Sequence, residues 1–117
     1  YYFLKKKKII NNLIFLSDTS NKFHKLWKKY HSLSNGLITF SILSKNDIRY
    51  FINSLELFKI GFSWGGYESL IIPLNNLKPS KKLSIKSEYW FRIHVGLESK
   101  DDLINDLEKA FKSYERN

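Results

Sequence analysis

The stretch over residues 61–70, Gly-Phe-Ser-Trp-Gly-Gly-Tyr-Glu-Ser-Leu, constrains this chain more than any other. Paired glycines at Gly65 and Gly66 allow backbone angles closed to other residues and let a main chain approach a ligand closely. Glu68 and Ser69 lead into the apolar run Leu70, Ile71, Ile72, which reads as a strand. A turn of this kind exposes Ser63 and Trp64 at one lip of a cleft. The competing reading is a tight turn around a buried tryptophan, and local physics leaves both open.

The flanking sequence switches between two hydrophobic periods. Residues 37–43 alternate, with Ile38, Phe40 and Ile42 on one face, the mark of a half-buried strand. Residues 13–16 and 57–62 predict shorter strands. Residues 90–95 predict another, with Phe91, Ile93 and Val95 on one face and Trp90, Arg92 and His94 on the other. Phe23, Leu26, Trp27 and Tyr30 recur at helical spacing, so a helix capped by Ser20 or Asn21 should bury that stripe. Ser44 with Asp47 resembles a capping box for a helix to about residue 57, striped by Ile48, Phe51, Ile52 and Leu55. Ser99 with Asp102 resembles a second, opening a helix to about residue 114 whose inward face is Leu103, Leu107, Ala110, Phe111 and Tyr114. Residues 73–89 hold both prolines and four lysines and read as a long surface loop. The sum is an α+β fold: a small, mostly antiparallel sheet with helices on one face.

At 117 residues the chain is at most one domain. Its 43% hydrophobic and 16% aromatic content is that of a globular protein. No cysteine is present, which excludes disulfides and thiolate chemistry and fits a reducing compartment. No apolar run approaches the ~20 residues that a membrane span needs. The net charge of +9 raises nucleic acid or an anionic surface as a partner. The run of lysines from Lys5 to Lys8 lacks the interleaved aromatics or arginines of a phosphate-binding patch, and it also reads as a solvated helix face. Heavy use of Lys, Ile and Asn is equally what an AT-rich coding bias produces. His24 and His31 have no nearby cysteine or carboxylate set that would make them metal ligands.

Two separated blocks carry a resemblance. Ser63-Trp64-Gly65-Gly66-Tyr67-Glu68-Ser69-Leu70 is similar to a segment of the Cys/Met-metabolism family of pyridoxal-phosphate enzymes, and within it to the cystathionine β-lyase branch. Phe91-Arg92-Ile93-His94-Val95-Gly96-Leu97-Glu98, followed by Asp101 and Asp102, resembles the closing pattern of the same family. Phe62 departs from it, standing where the most similar relatives often have tyrosine.

The resemblance implies the small C-terminal domain of a fold-type I pyridoxal-phosphate enzyme, spanning nearly the whole chain. It implies that Arg92 binds the substrate α-carboxylate. Ser63 would hydrogen-bond near the Schiff-base lysine. The Trp64 main-chain N–H would approach the carboxylate, and its indole would wall the pocket. Bottom-up chemistry agrees on Arg92, since a guanidinium grips a carboxylate through two parallel hydrogen bonds as a lysine cannot. Residue chemistry alone also allows a surface arginine at a sheet edge.

The lysine, phosphate cradle and ring-nitrogen carboxylate of a pyridoxal-phosphate lyase lie, in the family, in a large domain preceding this segment. Nothing here matches that lysine's sequence context, so the segment alone is expected to be inactive and to bind no pyridoxal phosphate covalently. The partners implied are that large domain and an amino-acid thioether, in a cytoplasmic homo-oligomer serving transsulfuration and methionine biosynthesis. Trp64, Trp90 and Tyr67 should then leave an apolar patch partly exposed. Two alternatives are a basic nucleic-acid-binding module and a stand-alone interaction domain.

Overall fold

The computed structural model describes residues 1–74 and 88–117. Most of the loop expected over residues 73–89, with Lys78, Lys81, Lys82 and Lys86, lies outside the described residues. Five strands form one sheet: β1 (Ile10–Ile14), β2 (Leu37–Leu43), β3 (Lys59–Ile60), β4 (Leu70–Pro73) and β5 (Glu88–His94). Their order is β1-β2-β5-β4-β3, antiparallel except for the parallel pair β3–β4. The helices are α1 (Tyr2–Lys5), α2 (His24–Tyr30), α3 (Arg49–Ile52) and α4 (Lys100–Arg116).

One sheet face carries the core. Ile38, Phe40 and Ile42 of β2, Ile71 of β4, and Phe91 and Ile93 of β5 meet Leu4 of α1, Phe51 of α3, and Leu103, Leu107, Ala110, Phe111 and Tyr114 of α4. Apart from Leu4 and Ile71, these are residues that the two periodicities select, because a strand buries alternate positions and a helix one stripe. The rings of Phe51 and Phe111 approach to 5.0 Å between centroids, and those of Phe51 and Phe91 to 5.2 Å, the separation at which tilted aromatic pairs attract.

Tyr114 anchors the far end of α4. Its hydroxyl donates to the Leu43 carbonyl at 2.6 Å and accepts the N–H groups of Lys45 and Asn46 at 3.1 and 3.2 Å. Midway along α4, Glu108 pairs with Lys7 of the lysine run, and nearer the start of the chain Lys5 pairs with Asp18 at 3.3 Å. Asp18 is held well below the usual carboxylate range, first by the Ser20 hydroxyl and then by that of Tyr1.

Four expectations need correction. The strand expected at residues 13–16 begins earlier, at Ile10, and ends at Ile14, because β2 offers ladder partners from Ile42 to Thr39, with a bulge between Ile10 and Asn12. The helix expected from Ser44 to about residue 57 is the short α3. Asp47, two residues before its start, accepts the Arg49 N–H at 2.9 Å, and Ser54 folds back onto the Tyr50 carbonyl at 2.8 Å. Buried Asp106 of α4 takes the N–H groups of Glu56, Leu57 and Phe58 at 2.7, 3.0 and 3.0 Å, which removes them from any helix ladder. Helix α2 starts at His24, after an Asn21 side-chain bond to the Phe23 N–H at 2.9 Å, and buries none of its residues. Ser99 caps α4 with its carbonyl, which accepts the Leu103 N–H at 3.0 Å, and not with its hydroxyl.

Candidate functional site

Arg92 stands on the central strand. It is paired with Thr39 of β2 on one side and Ile72 of β4 on the other. The reading as an edge arginine therefore fails: β5 has a neighbour on both sides. Because Phe91 and Ile93 point into the core, Arg92 leaves by the opposite face, where Trp90 and His94 also emerge. One terminal nitrogen of the guanidinium, Nη2, donates to the main-chain carbonyl of Phe62. Its Nε is buried and has no hydrogen-bond partner among the described residues. A buried donor without an acceptor costs about 1–3 kcal/mol, so an acceptor arriving there is favoured.

Phe62 immediately precedes Ser63 and Trp64, and this one carbonyl brings the two sequence blocks together. Both Ser63 and Trp64 are exposed, Trp64 at 61%. The tight-turn reading that buries this tryptophan is thereby corrected, and the expected exposure of both residues holds. Tyr67 is exposed as expected, whereas Trp90 is buried at 7%, since the sheet face opposite the core is itself partly covered. Among the described contacts, none joins Arg92 to the side chains of Ser63 or Trp64.

The turn after Trp64 is tied down at several points. Gly65 has φ +85°, which a residue with a Cβ adopts only with strain. Its N–H faces the His94 ring, 3.2 Å from Nε2 and 3.4 Å from Nδ1, while His94 Nε2 lies 3.0 Å from the Gly66 carbonyl. Further on, Glu98 accepts the Ser69 N–H at 2.8 Å and the Ser69 hydroxyl at 2.7 Å. The Ser69 hydroxyl in turn accepts the Gly96 N–H at 2.9 Å, and the Leu97 N–H reaches the Tyr67 carbonyl at 2.9 Å. Burial pushes the Glu98 carboxyl up, but the two bonds from Ser69, a bond from its own backbone and the nearby His94 together outweigh it, and its pKa lies below the ordinary value. Sequence reasoning gave no role to His94 or to the Phe62 carbonyl. A histidine on the Arg92 face of the strand was the available signal for the first; a main-chain acceptor leaves no signal.

The donor set suits a carboxylate: a fixed guanidinium with one buried nitrogen unpaired among the described residues. A guanidinium pairs with a phosphate by the same fork, whereas the aldehyde of pyridoxal phosphate calls for a lysine amine. The groups placed against Arg92 and His94 are main-chain atoms of Phe62, Gly65 and Gly66, with no lysine amine among them. Elsewhere His24 and His31 flank the Trp27 ring, at 5.5 and 5.8 Å between centroids, and do not converge on each other. Among the described residues no group of three or more His, Cys, Asp or Glu side chains could hold a metal ion, and no helix is long and apolar enough to cross a membrane.

The sequence profile described as Cys/Met metabolism PLP-dependent enzyme matches residues 2–112. The chain is 43% identical over 95 residues to a cystathionine beta-lyase of Bordetella avium, covering 74% of this chain and 23% of that protein. It is 34% identical over 115 residues to an L-alanine/L-glutamate racemase of Wolbachia pipientis wMel, covering 92% of this chain and 28% of that protein. It thus spans about a quarter of the length of the curated relatives it matches. In fold it resembles the cystathionine gamma-lyase of Lactobacillus plantarum solved with L-serine, with a TM-score of 0.81 at 25% identity over 97% of this chain and 32% of the other.

Proposed function

From the premise that this chain belongs to the Cys/Met-metabolism family of pyridoxal-phosphate-dependent enzymes, we propose that it is the small C-terminal, substrate-carboxylate-binding domain of a carbon–sulfur β-lyase. The reaction is cleavage of cystathionine to homocysteine, pyruvate and ammonia. The cystathionine beta-lyase of Bordetella avium supports the branch, as does the tryptophan in Ser63-Trp64-Gly65-Gly66. In this reading the domain works with a large domain that supplies the Schiff-base lysine and the phosphate cradle, and it is inactive without that domain. Bound there, the cofactor acts as the electron sink for the reaction.

The observation that carries the proposal is Arg92. Its guanidinium is pre-oriented by the Phe62 carbonyl and keeps a buried nitrogen for a ligand. A carboxylate reaching the Nε–H and the Nη2 hydrogen on the same side would make the side-on, two-point contact that arginine favours, with the other Nη2 hydrogen left for the Phe62 carbonyl. Ser63 and the Trp64 N–H follow the same carbonyl and would lie beside that carboxylate, with the exposed Trp64 indole walling the pocket. This chain's part is therefore to fix the amino acid's carboxyl end, so that the bonds being broken face the other domain.

The test joins this segment to the large domain of a relative. Arg92→Ala should leave cofactor absorbance unchanged, raise KM strongly, and lower kcat/KM by about 10²–10³-fold, the loss of a desolvated charged hydrogen-bond pair. Near wild-type kcat/KM in Arg92→Ala would refute the carboxylate role. Treating the 117-residue chain alone with pyridoxal phosphate and borohydride should yield no uniquely modified lysine.

A further inference from the structure

His94 is the one histidine of the chain buried in the fold, at 6% exposure, and it sits on the Arg92 face of the same strand. Its ring contacts main-chain atoms of the turn on both sides. The Gly65 N–H points at the ring, 3.2 Å from Nε2 and 3.4 Å from Nδ1, and Nε2 lies 3.0 Å from the Gly66 carbonyl, to which it donates when it carries the hydrogen. The ring is held from behind. A Cβ on Gly36 would lie 3.1 Å from the His94 ring and 2.5 Å from the Val95 carbonyl oxygen, so Gly36 is the residue that leaves the ring its place. The Val95 N–H also bonds the Gly36 carbonyl at 2.8 Å, fixing the strand end that carries the histidine.

We infer that His94 is a positioning residue. It clamps the peptide units of Gly65 and Gly66 to β5 and so sets where the Trp64 main chain stands relative to Arg92. The inference rests on the proposed carboxylate role of Arg92 and adds the residue that makes the second half of that site rigid. Two points already tie the turn to β5: Arg92 holds it before Ser63, through Phe62, and His94 holds it after Trp64, through Gly65 and Gly66. With only the first, the next tie after Trp64 is at the Tyr67 carbonyl, which accepts the Leu97 N–H, and the peptide units of Gly65 and Gly66 between them lose their contact with β5. With both, the turn is fixed at each end. Gly65 needs this most, because glycine at positive φ gains the most freedom when its contacts are lost.

The test compares His94→Leu, which fills the space but makes neither bond, with His94→Gln, whose amide can donate to Gly66 and accept from Gly65. In the enzyme completed with a relative's large domain, His94→Leu should raise KM for the amino-acid substrate about 10-fold and change kcat less than about 3-fold, with cofactor absorbance unchanged. His94→Gln should recover most of the loss. Unaltered KM in His94→Leu, with Arg92→Ala still raising it, overturns the role of His94 alone. Unaltered KM in Arg92→Ala overturns the carboxylate reading instead. A fall in kcat with KM unchanged also overturns it, since that is the mark of lost active enzyme. A second measurement needs no activity: in the 117-residue chain, hydrogen exchange at the Gly65 amide should be at least 10-fold faster in His94→Leu than in wild type or His94→Gln. Equal exchange in all three refutes the clamp.

Discussion

Gly96 lies against the main chain of Tyr67 so closely that a Cβ built on it would stand 2.2 Å from the Tyr67 carbonyl oxygen and 2.7 Å from the Glu68 carbonyl carbon. Both obstacles are backbone and neither can swing aside. The glycine of the closing block is thus what allows the strand end to nest into the turn of the first block. Gly96→Ala should destabilise the domain by about 2–4 kcal/mol, an overpacking penalty at the upper end because the clash is with main chain. Urea unfolding of the two chains at equal pH checks this, and an unchanged midpoint would show that the two segments are not locked.

Arg92→Lys separates charge from shape. Lysine keeps the positive charge but loses the fork and the buried Nε. In the completed enzyme it should recover only part of the kcat/KM lost in Arg92→Ala, staying about 10-fold or more below wild type. Full recovery would mean that a point charge suffices and that the unpaired Nε plays no part.

Asp106 faces three N–H groups, those of Glu56, Leu57 and Phe58. Asp106→Ala leaves all three without a side-chain acceptor and should cost about 2–4 kcal/mol. Asp106→Asn retains one oxygen and should cost less. Because Phe58 is buried immediately before β3, hydrogen exchange in residues 56–60 should rise before that of the central strands in Asp106→Ala.

Glu98 predicts a pH dependence with a definite sign. Its folded-state pKa lies below its ordinary 4.5. The unfolded chain therefore binds the proton more readily, and stability from this group is present above pH 4.5. It is lost as pH falls through the lower folded-state value. Glu98→Gln should be less stable than wild type at neutral pH, and the gap should close on acidification below about pH 4.5. A gap that is constant with pH would assign the effect to packing and not to the carboxylate.

Much of the fold was legible because it follows from periodicity. Strand β2 has the bounds that alternation at Leu37–Leu43 requires, and the inward face of α4 is the one its stripe selects. Where the reading departed, a long-range polar contact decided. Asp106 pulls residues 56–58 away from helix, and its partners lie about fifty positions earlier in the chain. Phe23, Leu26 and Tyr30 have helical spacing but are exposed in α2, because a stripe records amphipathicity and not what covers it. In the site, Arg92, Ser63 and Trp64 were legible as side chains within recognisable blocks. What organises them was not: the carbonyl of Phe62 and the peptide units of Gly65 and Gly66 carry no residue-type signature.

The strand order has a consequence for how this domain is made. Strands β1 and β2 precede β3 and β4 in the chain, yet among the described residues the two pairs share no ladder; β5, the last strand in the chain, lies between β2 and β4 and pairs with both. A nascent chain that has not yet emerged past His94 thus holds two half-sheets with facing, unpaired edges. The final strand must enter between them, a long-range step of the kind that slows folding and exposes intermediates to association. Because Arg92 and His94 ride on that strand, the carboxylate site and the closed sheet arise in one event. Synthesis halted before residue 88 would leave neither, and the open edges would be the place where such products aggregate.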